Sequence, residues 1–308
     1  MTKNIIVVSL NAMNVLLISG GYSSERTVSL ASAKNVKKAL KENGHKVKLY
    51  DLKDGYEPII QLSKDFDVFF PVLHGEEGEG GKLHKFLSRL KKPVVGSKNY
   101  KGFQNAWYKI PFKKFCDKNG IRTAEWKIVK TKRNIIKFGF PCVLKSSNGG
   151  SAREVVILKS KADLSKNVVN NLLISKNPLF VEKYLPGTEV TVGILNGNAL
   201  PLIEIIPPKN SWFSYKNRYN NKSEEIPLAP SVDKKIQENL QAITLKIHKK
   251  FDLGSYSRMD YMVYKDAPFI FEVNTIPGLT PGSLFPKQAK AAGISFNQLM
   301  ELLIKSAR

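Results

Sequence analysis

Between Asn14 and Gly96 short apolar runs alternate with amphipathic stretches, and this alternation constrains the fold more than any other feature. Asn14–Ser19 reads as a strand entering a tight Gly20-Gly21 turn. The following stretch places Val28, Ala31, Val36, Ala39 and Leu40 near helical spacing, with Ser23 or Ser24 to cap its start and Gly44 to end it. Lys46–Leu52 alternates as a strand, and Asp67–Leu73 is apolar enough for a strand buried on both faces. Leu83–Leu90 reads as a helix and Pro93–Gly96 as a last short strand. Strands alternating with helices predict a doubly wound α/β domain over about residues 13–97. Ligands in such sheets bind at the carboxyl ends of the strands, where Gly20–Glu25 and His74–Gly81 both fall.

A second unit begins near Tyr100. Trp107–Lys118 and Ala162–Leu173 read as helices, and Trp126–Thr131, Cys142–Ser146, Glu154–Leu158 and Leu179–Tyr184 as strands. A third unit opens with Glu189–Leu195, which pairs back onto Ala199–Ile206 across Asn196-Gly197-Asn198, a hairpin signal. Pro208–Leu228 is a long polar loop of the kind that serves as an active-site lid. Val232–Phe251 is an amphipathic helix, Ser257–Tyr264 and Pro268–Val273 pair as strands, and Phe296–Ser306 is a closing helix.

Charge narrows the function less than its size suggests. The 308 residues carry 49 Lys+Arg against 26 Asp+Glu, a formal net charge of +23, which invites a nucleic-acid reading. Yet 41 of those cations are lysines spread along the chain and 8 are arginines, whereas base readers favour arginine for its bidentate fork. No specific nucleic-acid partner is expected. No apolar run approaches the roughly 18–20 residues of a membrane span, and the start lacks a cleavage site, so no membrane partner and a cytoplasmic location are expected. Cys116 and Cys142 are too few for a disulfide framework.

The sharpest chemical signal is Arg258-Met259-Asp260 followed by Glu272-Val273-Asn274. Alternation puts Arg258 with Asp260 and Glu272 with Asn274 on single faces; if the strands pair, three oxygen ligands converge. That set suits Mg²⁺ sharing phosphate oxygens, and equally a solvated sheet face with satisfied acids. The glycines and prolines of Thr275–Ser283 favour the first reading, because a rigid loop of exposed N–H groups suits an anion.

Three motifs in order resemble the D-alanine–D-alanine ligases of the ATP-grasp superfamily: Gly20-Gly21 through Glu25 to Leu30, His74-Gly75 through Gly78 to Gly80, and Phe271-Glu272-Val273-Asn274 through Gly278 to Ser283-Leu284. The resemblance runs from about Asn14 to the end. It implies an N-terminal doubly wound domain (1–98), a central ATP-grasp subdomain acting as nucleotide lid (99–186) and a C-terminal ATP-grasp subdomain with the metal and catalytic site (187–308), the last two being α+β. It further implies ATP-dependent ligation of two D-alanines through an acyl phosphate for peptidoglycan synthesis, with two Mg²⁺ or Mn²⁺ ions, in a homodimer. By position, Glu25 would hold the first D-alanine's ammonium with His74 nearby, and Ser151 and Tyr219 would close the long loop over it. Arg258 and the Gly278 N–H would stabilise the oxyanion, and Ser283 with the Leu284 N–H would take the second D-alanine's carboxylate. Lys109 and Lys145 would contact phosphates, Glu182 and Leu185 bracket adenine, and Glu189 bind ribose. Gly150, Lys183 and Arg218 would complete the ATP site, and Asp260, Glu272 and Asn274 would hold the metals.

The sequence departs from the family in its phosphate loop. The family's Glu-Gly-Ser-Ser-Val-Gly is here Gly149-Gly150-Ser151-Ala152-Arg153-Glu154, and Tyr108 stands where an acid precedes Lys109. Tyr219 is the residue type associated with D-alanine rather than D-lactate as second substrate. Two rival readings follow from these departures: a relative acting on another amino acid or hydroxy acid, and a non-catalytic nucleotide-binding homologue.

Overall fold

The computed structural model describes residues 11–150, 154–209 and 222–307. In the first hundred residues β1 (Asn14–Ser19) lies between β2 (Lys46–Asp51) and β3 (Val68–Pro71), and both pairings are parallel. The period of two divides β1 between two cores. Val15 and Leu17 enter the largest cluster, while Leu16 and Ile18 enter a second one with Phe69 and Leu83. This is the expected two-faced sheet. α1 (Arg26–Glu42) lies on the first face, α2 (Glu57–Leu62) sends Ile59 and Leu62 to the second, and α3 (Lys82–Leu87) adds Leu83 and Leu87 there. Pro93–Gly96, expected as a strand, is reduced to a single parallel bridge between Phe69 and Val94.

The helix expected over Trp107–Lys118 is broken at Tyr108, which is extended (φ −70°, ψ 115°). α4 (Tyr100–Trp107) ends there and α5 (Lys109–Lys118) begins. Pro111 explains the break: it has no N–H to donate, and its ring would clash with the Trp107 carbonyl four residues earlier. The four-stranded antiparallel sheet that follows has the order β4 (Trp126–Val129), β7 (Leu179–Lys183), β5 (Cys142–Ser146), β6 (Val155–Leu158), over a core of its own. α6 (Lys132–Phe138), unread in the sequence, starts from a Thr131/Asn134 capping box. The helix expected over Ala162–Leu173 splits into a 3₁₀ turn and α7 (Asn167–Ile174), because Lys166 is extended between them.

The third sheet runs β11 (Glu224–Pro227), β10 (Ile203–Ile206), β8 (Thr188–Leu195), β12 (Tyr256–Tyr264), β13 (Ala267–Asn274), with the short β9 (Asn198–Ala199) also on β8. The expected Ala199–Ile206 strand is interrupted around Pro201, which cannot donate to the ladder. The end of the expected loop, Glu224–Pro227, is a strand paired to β10. α8 (Lys234–Phe251), α9 (Leu284–Ala291) and α10 (Phe296–Lys305) cover this sheet. The large core is continuous from Val15 and Val36 to Tyr256, Leu299 and Leu303, so the C-terminal helices close one face of the N-terminal sheet.

Candidate active site

Two cavities meet at the junction of the three sheets. The larger, about 440 Å³, lies between the four-stranded sheet and the C-terminal sheet, and the smaller, about 230 Å³, lies over the ends of β1 and β13. Gly150 and Glu272 line both.

The larger cavity gathers the expected Lys109, Lys145, Gly150, Glu182, Lys183, Leu185 and Glu189, with Met262, Phe269 and Phe271 as apolar walls. Lys109, the first residue of α5, points back to donate to the Gly149 carbonyl at 2.6 Å and lies 3.5 Å from Glu272 Oε1. Glu182 is buried between two ammonium groups, with Lys145 at 2.5 Å and Lys113 in closer contact still. Burial alone would raise the Glu182 carboxyl, but the two lysines outweigh it and hold it down at about 2. The same burial, with Lys145 beside it, lowers Lys113. Lys145 lines the cavity and Lys113 stands behind its wall, so two ammonium groups meet one carboxylate at Glu182. Lys113 escaped the sequence reading; its signal, one helical turn after Lys109, was lost among so many lysines.

β12 and β13 pair as expected, with Arg258 opposite Asn274 and Asp260 opposite Glu272, and a bulge follows Asp260. Asp260 lies deeper than expected and lines neither cavity. It accepts from Arg258 Nε and an Arg258 Nη at 2.9 Å each, from Thr191 Oγ1 at 2.6 Å and from Asn274 Nδ2 at 3.1 Å. Those donors fill its lone pairs and lock the guanidinium in place. No cluster of three or more His, Cys, Asp or Glu side chains among the described residues is arranged to hold a metal. Glu272 and Asn274 do offer hard oxygens to the smaller cavity and fit Mg²⁺; Asp260 sits behind them with both oxygens already accepting from four donors.

The smaller cavity brings together Glu25, His74, Arg258, Gly278, Ser283 and Leu284. Glu25 caps α1 just after the glycine turn. Gly20 there has φ +76°, and a Cβ on it would stand 2.2 Å from Asp51 Oδ1, so the turn accepts no side chain. Asp51 pairs with Arg26 and fixes the start of the helix, and Ser23 accepts from the Glu25 N–H at 3.2 Å in place of a side-chain cap on the helix proper. A Cβ on Gly150 would lie 2.3 Å from Glu25 Oε2, so the backbone at Gly150 packs directly onto this carboxylate. Ser283 is the N-cap of α9 and accepts from the Thr280 N–H at 3.3 Å. Past it the helix N-terminus presents free N–H groups, a natural seat for a carboxylate.

His74 and Glu79 sit 4.0 Å apart on this cavity's wall. Burial lowers the His74 imidazole, and burial together with the Glu25 charge raises the Glu79 carboxyl to about 8. At neutral pH the contact therefore joins two uncharged groups and is not an ion pair. His74 Nε2 is buried with no hydrogen-bond partner among the described residues. Glu79, Trp107 and Glu225 line the cavity and Thr191 supports Asp260, yet none was singled out from sequence. Ser151, Arg218 and Tyr219 lie outside the described residues.

A family model described as "D-ala D-ala ligase C-terminus" matches residues 109–305. The D-alanine–D-alanine ligase of Maridesulfovibrio salexigens is 38% identical over 298 residues, covering 95% of this chain and 98% of that one. That of Aquifex aeolicus is 36% identical over 296 residues, covering 95% and 100%. Among solved structures, the D-alanine–D-alanine ligase of Bacillus anthracis complexed with ATP superposes with a TM-score of 0.82 at 30% identity, covering 96% of this chain and 97% of that one.

Proposed function

This chain belongs to the D-alanine–D-alanine ligase family, and from that premise we propose how its two joined cavities divide the work. The reaction is ATP-dependent ligation of two D-alanines to D-alanyl-D-alanine for peptidoglycan. A carboxylate cannot be attacked by an amine directly, so the first D-alanine is phosphorylated to an acyl phosphate. The second D-alanine, having lost a proton from its ammonium, then attacks the carbonyl carbon as the free amine. The C–N bond forms as the C–O bond to phosphate breaks, and the amine's second proton leaves with the departing phosphate or to water. The observation that carries this reading is the shared wall of Gly150 and Glu272, which lets one end of the larger cavity deliver phosphate into the smaller.

The larger cavity would hold ATP: adenine between the apolar walls near Leu185, ribose at Glu189, phosphates toward Lys109, Lys145 and Gly150. Lys183 and Arg218 would complete that site. Glu272 and Asn274, with Asp260 behind them, would hold two magnesium ions, whose chemistry when bound is neutralisation of phosphate charge. Glu25 would take the first D-alanine's ammonium beside His74, under a loop bearing Ser151 and Tyr219. Arg258, already oriented by Asp260, and the Gly278 N–H would face the oxyanion and need no reorganisation. Ser283 and the Leu284 N–H would take the second D-alanine's carboxylate. The enzyme would work in the cytoplasm as a homodimer. Among the described residues no helix is long and apolar enough to cross a membrane.

The test is Glu272→Gln. It keeps the shape and removes one charge, and D-alanine-dependent ADP release is expected to fall at least about 100-fold. Wild-type turnover in this variant would overturn the assignment of the cavity junction.

A further inference from the structure

Resting on that reading, we propose that Glu225 binds the ammonium of the acceptor amino acid and so selects amino acids over hydroxy acids as second substrate. Glu225 is on β11, directly opposite Ile205, and Ile205 packs against Leu284 at the start of α9. This register sets its carboxylate beside the proposed acceptor seat, and it lines the same cavity as Ser283 and Leu284. Its side chain is 13% exposed. Oε2 accepts from Lys287 at 2.6 Å, and Oε1 has no hydrogen bond among the described residues. Lys287 itself is 38% exposed and does not line the cavity, so the pair presents its anion inward and its cation outward.

The charges around the cavity leave Glu225 this task. Arg258 is matched by Asp260, Glu272 faces Lys109 at the cavity junction, and Glu25 is assigned to the donor. With Glu79 accepting from the Gly75 N–H and packed 4.0 Å from His74, Glu225 is the remaining carboxylate lining the cavity. An acceptor amino acid is a zwitterion: its carboxylate finds N–H groups at the helix N-terminus while its ammonium finds Glu225. A hydroxy acid brings the carboxylate alone into a wall already rich in anions, and leaves Glu225 Oε1 without the ammonium that would donate to it. Discrimination therefore comes from a repulsive element as well as an attractive one.

The experiment compares wild type, Glu225→Gln, Glu225→Asp and Lys287→Met. Each is given ATP, Mg²⁺ and D-alanine, with hydroxylamine present to trap the acyl phosphate as D-alanine hydroxamate. Hydroxamate reports the donor half of the reaction and dipeptide reports both halves. For Glu225→Gln we expect the dipeptide-to-hydroxamate ratio to fall at least tenfold at low D-alanine. The acceptor KM should rise by a similar factor, and the use of D-lactate relative to D-alanine should rise with it. Glu225→Asp should recover part of the loss, and Lys287→Met should leave the acceptor KM unchanged or lower it.

If Glu225→Gln and Lys287→Met raise the acceptor KM equally, the pair is a structural latch and the inference falls. It falls too if donor and acceptor constants shift together, or if D-lactate use is unmoved. A wild-type protein that forms neither hydroxamate nor dipeptide removes the premise, and the inference with it.

Discussion

Glu182→Gln tests the electrostatics of the larger cavity most sharply, because the perturbation removes one charge and almost no volume. The carboxyl falls from its usual 4.5 to about 2 in the folded protein, which at 1.36 kcal/mol per pKa unit is worth about 3 kcal/mol. Removing it also leaves Lys113 and Lys145 buried together without their anion, so the loss at pH 7 should reach about 3–5 kcal/mol. The pH dependence carries the stronger test. A carboxyl whose folded pKa is depressed contributes its stability above the unfolded pKa and loses it as pH falls through the folded one. The gap between wild type and variant should therefore be constant from pH 7 to about 5, and more than half of the roughly 3 kcal/mol should be gone by about pH 3. Urea unfolding followed by tryptophan fluorescence at pH 7, 5, 4 and 3 measures that gap. A gap below about 0.5 kcal/mol at pH 7, or one that does not narrow on acidification, would refute the reasoning.

Two further variants probe other parts of the site. Glu154 lines the larger cavity, its Oε2 is buried with no hydrogen-bond partner among the described residues, and the family places glycine there; Glu154→Gly should therefore lower the Kd for ATP, measured by calorimetry. An unchanged or weaker affinity would mean that this carboxylate does not oppose phosphate. Glu79, raised to about 8, makes ionisation costly in the folded state, a cost that grows as pH climbs from about 4.5 towards 8. Glu79→Gln, always neutral, should thus gain stability relative to wild type across that window. Equal stability at pH 5 and pH 8 would contradict the assignment.

Signals that depend on period or on a short motif were legible in the sequence. The apolar runs at Asn14–Ser19 and Asp67–Leu73, alternating with helical stretches, foretold the parallel sheet, and the alternation around Asp260 and Glu272 foretold their pairing. Less legible were features set by one residue's covalent limits against a longer pattern. Pro111 breaks what looks like one helix, and Pro286 falls in the first turn of α9, an eight-residue helix too short for periodicity to reveal. Depth was not legible at all. Alternation assigns Asp260 to a face but cannot say that Arg258, Thr191 and Asn274 surround it, which leaves Glu272 and Asn274 exposed to the cavity in its place. Lys113 shows the same limit, since its burial beside Glu182, which sets it apart from the exposed lysines, is not written in its spacing.

ADP release by the purified protein with ATP, Mg²⁺ and D-alanine, against L-alanine and no-amino-acid controls and with the product mass determined, tests the central claim most directly. The account predicts ADP formation that depends on D-alanine and a product with the mass of the D-alanyl dipeptide. ADP release that is indifferent to D-alanine, or a D-alanine-dependent reaction without the dipeptide, would contradict it.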